Sequence, residues 1–179
     1  NKRLITLVDD LLNVARIEAG TIKVTINSVN LTDIAREVVS EMESVFNQSG
    51  VKVTNSIKKN YLVRADKDRL KQVLINLLSN ASKYNKKKGK ITIKTTATTR
   101  KVSVTVSDSG IGMSPTERKK LFQKFYRVSN SNTKNIDGTG LGLYVTKEIV
   151  EKMKGKISVK SKKGEGTSFT FTLPISVKK

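Results

Sequence analysis

The chain has 179 residues, 36% of them hydrophobic, which suits one compact domain with a small appendage, and it holds no apolar run long enough to span a membrane. Cysteine and histidine are both absent, which excludes disulfide staples, thiolate metal sites and any histidine base, nucleophile or ligand within the chain. The formal charge is +20, yet the lysines are scattered in short runs and base-stacking aromatics make up only 5%, so the excess reads as a solvated surface and no specific nucleic-acid binder is expected.

Residues 1–19 place Leu4, Leu7, Leu11 and Val14 at alternating steps of three and four, a short coiled-coil-like seam, and Gly20 is a natural stop. So short a helix is marginal alone and is expected to pack on a partner, another copy of itself included. No secretory signal opens the chain, which begins at Asn1 with residues that already read as helical; the expectation is a piece of a longer protein. Residues 22–29 read as an edge strand or connector. A helix then starts at a Thr32 cap and runs to about Gln48, with Leu31, Ile34, Ala35, Val38, Met42 and Val45 on its buried face and Gly50 at its end.

Segments 51–57 and 60–65 are expected strands. Asp66 or Lys67 opens the second long helix, with Leu70, Val73, Leu74, Leu77, Leu78 and Ala81 as its apolar face. Asn76, Asn80 and Lys83 recur at steps of four and three, so they form one polar stripe roughly opposite that face. "KITIKTTA" and "KVSVTVSD" read as a hairpin around Thr98–Lys101. A Gly-rich segment, a short helix near 115–124 and an irregular polar stretch from Ser129 to Gly138 follow. A third long helix begins near Gly142 and ends before Gly155, and 156–161 and 167–174 close the chain as a hairpin. The expected class is α+β: a two-layer α/β sandwich with one mixed, mainly antiparallel sheet, helices on one of its faces, and a short coiled-coil-like helix in front.

Four clusters carry potential chemistry: the amide stripe, "DSGIG" (Asp108 to Gly112) at a strand exit, "DGTGLGL" (Asp137 to Leu143) leading into a helix, and "GEGTSF" (Gly164 to Phe169). A nucleoside triphosphate needs backbone N–H groups at a helix start for its phosphates, which Gly138, Gly140 and Gly142 would expose. Its magnesium needs hard oxygens, and neutral Asn carbonyls supply them without adding negative charge. Lys83 would neutralise a phosphate, Asp108 would accept from an adenine amine, and Gly110 and Gly112 would let the ring approach the backbone. Each cluster also has a plainer reading, as exposed amides or as turns. "GTGLG" has neither the dinucleotide spacing nor the P-loop pattern. Their order and spacing together are what point to a nucleotide.

That order resembles the catalytic part of a bacterial sensor histidine kinase, in the superfamily shared with gyrase, the Hsp90 chaperones and MutL. "QVLINLLSNASKY" resembles the family's N box, "DSGIGM" its G1 box, "LFQKFYRV" its F box, "GTGLGL" its G2 box and "GEGTSFTFTLP" its closing hairpin. "LVDDLLNVARIEAG" resembles the end of the second helix of the dimerisation and phosphotransfer domain, so 1–20 is assigned to that helix and 21–179 to the catalytic domain. The resemblance implies a Bergerat-type sandwich that binds ATP and Mg²⁺. By it, Asn76 and Asn80 hold the metal, Lys83 and Arg127 meet the phosphates, and Tyr84 covers the adenine. Asp108 takes the adenine amine with Thr167 behind it, directly or through water. Tyr126 follows the F box, Ser129–Gly138 is an ATP lid, and Gly138, Thr139, Gly140, Leu141, Gly142 and Leu143 line the phosphates.

The resemblance further implies an acceptor His on a dimerisation domain, a homodimer in the full protein, a downstream response regulator, and a cytoplasmic location that includes the cytoplasmic part of a membrane-bound sensor. ATP-hydrolysing relatives place a Glu at the first N-box position as base for water; here Asn76 stands there, and an amide cannot accept that proton usefully. Phosphoryl transfer is therefore expected over hydrolysis. Lacking His, this chain alone is expected not to phosphorylate itself. A nucleotide-binding pseudokinase and a related anti-sigma-type serine kinase are the alternatives, the helix before residue 20 arguing against the latter.

Overall fold

The computed structural model describes residues 2–57, 59–128, 136 and 138–176. Helix α1 (Lys2–Glu18) comes first, followed by strand β1 (Asn27–Asn30), helices α2 (Leu31–Glu41) and α3 (Glu43–Ser49), and strands β2 (Lys52–Asn55) and β3 (Leu62–Ala65). Helix α4 (Lys67–Lys83) leads into the hairpin β4 (Lys90–Ala97) and β5 (Lys101–Asp108). Then come α5 (Pro115–Lys120), α6 (Gly142–Lys152) and the closing hairpin β6 (Ile157–Lys162) and β7 (Gly166–Pro174).

Five strands form the main sheet in the order β2-β4-β5-β7-β6, with only the β2–β4 pair parallel. Period-two patterning gives it two unlike faces. Ile91, Ile93, Val102, Val104, Val106, Phe171 and Leu173 are buried on one face, beneath α2, α4 and α6. The other face is hydroxylated, and cross-strand pairs such as Thr105–Thr170 (2.9 Å) and Ser107–Ser168 (2.8 Å) hydrogen-bond along it. The expected two-layer sandwich is thus observed, and all six residues expected on the apolar face of α4 are buried.

Several local expectations are corrected. The fold has a second, two-stranded sheet, β1 antiparallel to β3. Only the end of 22–29 is strand; Ile22 is buried, but Thr25 gives its N–H to Asp66 Oδ2 (2.8 Å) instead of to a ladder. Helix α2 is capped by Asn30, not Thr32: the Asn30 side chain accepts from the Thr32 N–H at 3.0 Å, two residues on, which is cap geometry. The helix expected to run unbroken to Gln48 is interrupted at Met42, and beyond the break the larger Phe46 takes the buried position (4% exposed) while Val45 stays outside at 41%. Helix α5 ends at Lys120, not near 124. It is set by a reciprocal capping box, the Ser114 N–H donating to Glu117 Oε2 (2.7 Å) and the Glu117 N–H to Ser114 Oγ (3.3 Å). Asp66 opens α4, its Oδ1 accepting from the N–H groups of Asp68 (3.0 Å) and Arg69 (3.1 Å).

Along α1, Leu4, Leu7 and Leu11 of the seam are exposed, whereas Val14 and Ile17 pack into the core. The helix lies against α6 and the loop after α5, and Glu18 pairs with Lys124. That lysine's ammonium also sits 5.1 Å from the centre of the Tyr144 ring.

Candidate functional site

On the polar face of α4 Lys83 is exposed, whereas Asn76 and Asn80 are half-buried. This face forms one wall of a cavity of about 840 Å³. The C-terminal end of β5 and the start of β7 close one end, the loops 121–128 and 138–140 and the start of α6 the other, and Leu7 and Asp10 of α1 reach its rim. Asn76, Asn80, Lys83, Tyr84, Asp108, Gly112, Tyr126, Arg127, Gly138, Thr139, Gly140, Gly142, Leu143 and Thr167 all line it. Of the expected site residues, Leu141 lies fully inside the core and Gly110 lies behind Asp108, outside the lining. The expected lid, Ser129–Gly138, falls outside the described residues except for Ile136 and Gly138.

Asp108 defines the sheet end. It is the last residue of β5, paired with Ile91 on one side and Thr167 on the other. Its Oδ1 accepts from the Gly110 N–H (2.8 Å) and the Thr167 N–H (3.2 Å). Burial outweighs both donors and pushes the carboxyl up to about 6 from an ordinary 3.8. Thr167 therefore supports Asp108 through its backbone; its hydroxyl is engaged with Ser161 Oγ at 2.9 Å. Gly110 is required by close approach, since a Cβ there would stand 2.2 Å from the Tyr84 carbonyl oxygen and 2.7 Å from Asp108 Oδ1.

The opposite end is made of short polar side chains and bare backbone. Thr139 Oγ1 donates to Asp10 Oδ2 (2.5 Å) and accepts from the Leu141 N–H (3.2 Å). Helix α6 opens without a side-chain cap hydrogen bond, and Gly140 and Gly142 line the cavity at its start. Arg127 is exposed, with Nη2 donating to the Ile136 carbonyl. Between the two ends, Asn76 Nδ2 donates to Thr146 Oγ1 (2.6 Å). The Asn80 amide has no partner among the described residues. Sequence reasoning missed Asp10, Leu7 and Thr146. Thr146 was within reach, because it lies one helical turn beyond Gly142 and so on the same face; nothing in the sequence joins Asp10 to Thr139, 129 positions away.

Residues 65–177, which contain most of the cavity lining, match the family model described as "Histidine kinase-, DNA gyrase B-, and HSP90-like ATPase". The chain belongs to this ATPase family. Its relatives put it on the histidine kinase branch. The circadian input-output histidine kinase CikA of Synechococcus elongatus is 34% identical over 176 residues, 97% of this chain and 23% of that protein. Full-length ShkA in complex with AMPPNP superposes with a TM-score of 0.85 at 28% identity, over 98% of this chain and 36% of that one. Histidine kinase ThkA in complex with the response regulator protein TrrA gives 0.77 at 28% identity, over 98% of this chain and 48% of that one. The chain spans only 21% to 30% of the length of the first curated relatives it matches. The sandwich is the Bergerat fold of this ATPase family, and the chain is similar to the catalytic parts of sensor histidine kinases. Among the described residues no helix is long and apolar enough to cross a membrane.

Proposed function

We propose that this chain holds MgATP in the cavity and donates the γ-phosphoryl group to a histidine carried by a dimerisation domain, residues 1–20 being the end of that domain's second helix and 21–179 the catalytic domain. The observation that carries the reading is Asp108: a desolvated carboxylate with a free oxygen facing the cavity, at the far end from the uncapped start of α6. A carboxylate oxygen accepts an adenine exocyclic amine, and Tyr84 stands beside it to cover the ring. The triphosphate then extends toward the N–H groups at the start of α6, with Lys83 and Arg127 as neutralising cations.

The residues fit a magnesium ion. Asn76 and Asn80 stand one turn apart on α4 and line the cavity, and neutral amides suit a metal already held by phosphates. Bound there, Mg²⁺ would supply charge stabilisation to the transferring phosphoryl group. The chain's own residues bind and orient. In this reading Asp108 sets the base, the start of α6 sets the phosphates, and Arg127, exposed and lining the cavity, would meet the terminal phosphate. The P–N bond forms on the incoming imidazole as the P–O bond to ADP breaks. Asn76, unlike a glutamate, takes no proton from water there, which favours transfer over hydrolysis. The parent protein would be a cytoplasmic or membrane-anchored homodimer whose phosphohistidine supplies a response regulator, as the ThkA–TrrA complex illustrates for a relative.

Calorimetry with a non-hydrolysable ATP analogue, with and without Mg²⁺, tests the binding step. Incubation with labelled ATP, alone and with an added protein carrying the acceptor helix, tests the transfer. Micromolar binding and label only on the added protein are expected. Phosphohistidine on this chain alone would contradict the reading, and binding without any transfer would favour a nucleotide-binding regulatory module.

A further inference from the structure

We propose that the hydroxylated outer face of the main sheet is a docking surface for an anionic lipid bilayer. The inference is independent of the nucleotide reading, since the strand residues that line the cavity, Asp108, Thr167 and Phe169, belong to the helix-covered side. The lysines that look scattered along the chain are sorted by the strands. The five strands carry six of them, Lys52, Lys90, Lys94, Lys101, Lys160 and Lys162, and all six are exposed. Alternation puts every one on the face opposite Ile91, Ile93, Val102, Val104 and Val106. The only carboxylate in these strands, Asp108, is in register with Ile91 and so belongs to the other side.

This face lacks its own counter-charge. Lys52 and Lys90 are register partners on adjacent strands, so two like charges stand side by side, which costs stability unless an anion relieves it. Among the described residues Lys162 alone of the six has a carboxylate partner, Glu165 in the following turn. Lysines on an edge strand guard it against pairing with another sheet, which accounts for Lys52, Lys160 and Lys162. Lys90 and Lys101 lie on β4 and β5, which are paired on both sides, and there is no edge there to guard. Between the lysines the face is hydroxyl: Thr92, Ser107 and Ser168 share one register row, with Thr105 and Thr170 in the next. Ammonium and hydroxyl groups both donate to phosphate oxygens.

The composition of the face selects its occupant. A protein partner calls for an apolar or aromatic centre, and none of the exposed large hydrophobic side chains lies here. Single-stranded nucleic acid calls for stacking aromatics and a duplex for an element that enters a groove; this face offers neither. A layer of anionic headgroups asks only for a broad cationic surface, each lysine near it contributing about fivefold in affinity.

The test is co-sedimentation of the chain with vesicles of phosphatidylcholine alone and of phosphatidylcholine mixed with phosphatidylglycerol, across a salt series. Binding to the anionic vesicles only, weakening steeply as salt rises, is expected. The triple variant Lys52→Gln, Lys90→Gln, Lys101→Gln should lose roughly 100-fold in affinity. The triple variant Lys23→Gln, Lys67→Gln, Lys152→Gln removes the same charge from outside the sheet and should stay within about threefold of the unaltered chain, because salt screens distant charges. Equal losses in the two triples would show that net charge alone is read, and overturn the proposal. Binding to neutral vesicles, or none to anionic vesicles at low salt, overturns it too. If duplex DNA binds more tightly than the anionic vesicles and the first triple abolishes that binding, the occupant is a nucleic acid and the lipid proposal falls. Should the first triple fail to fold by circular dichroism, Lys90→Gln and Lys101→Gln singly should each lose about fivefold.

Discussion

The two ends of the cavity are built on different principles. The Asp108 end is welded into the sheet: its residue is flanked by ladder partners on both sides and its oxygen is held by two backbone N–H groups. The Thr139 end is assembled from side chains, with α1, the loop after α5 and the start of α6 meeting through single contacts such as Asp10–Thr139 and Glu18–Lys124. Backbone donors held in a sheet cost little to keep in place, whereas a side-chain bridge between separate elements is worth about as much as it costs in ordering and screening. On the proposed reading, recognition of the base is therefore preorganised, and the phosphate end is adjustable.

The comparison is broken most severely at Asp108. Replacement of the carboxylate, Asp108→Asn, should lower analogue affinity by about 10- to 100-fold, the worth of a charged hydrogen bond, in calorimetry at pH 7.5. The same variant should melt higher. The folded carboxyl titrates near 6, above its ordinary 3.8, so the favourable contribution of the protonated form is complete below about 3.8 and lost as pH rises through about 6. An uncharged asparagine escapes that loss, which amounts to about 2–3 kcal/mol at neutral pH. Binding and stability should thus move in opposite directions; a variant that both binds poorly and melts lower would mean that Asp108 is a structural residue.

Next in size is the pH response of the unaltered chain. If the ionised carboxylate accepts the adenine amine, affinity should be level above about pH 6.5 and fall by up to about tenfold per unit below 6, a dependence absent from Asp108→Asn. Smaller effects are expected at the other end. Asp10→Ala removes a carboxylate from beside the phosphates and should raise analogue affinity about threefold at low salt, with the gain shrinking as salt is added. Glu18→Gln should shift stability by no more than about 1 kcal/mol in thermal melts, as exposed pairs do. A loss at Asp10→Ala as large as that at Asp108→Asn would show that the phosphate end is preorganised too.

Much of this was legible in the sequence where a periodicity or a ladder sets the outcome. The alternation in "KVSVTVSD" placed Asp108 at a strand end, and the apolar spacing from Leu70 to Ala81 fixed which face of α4 is buried and hence where Asn76 and Asn80 point. Local chemistry was less decisive where two residues competed for one role. Asn30 beat Thr32 as cap, and Phe46 beat Val45 for the core, because tertiary packing chose between nearly equal local options. Side-chain bridges between distant segments, Asp10 to Thr139 and Asn76 to Thr146, have no local signature at all. The sequence therefore revealed the preorganised end better than the adjustable one.

The walls of the cavity come from residues as far apart as Leu7 and Phe169. No segment of the chain can hold a nucleotide by itself, so the binding site exists only once the whole sandwich has closed. Occupancy then acts as a wager on the folded state alone: at a nucleotide concentration of about 100 times Kd, the intact fold gains about 2.7 kcal/mol over every partly opened form. A cell rich in ATP would count such a molecule as folded and loaded in a single event, and a nucleotide-starved one would find it easier to unfold and degrade.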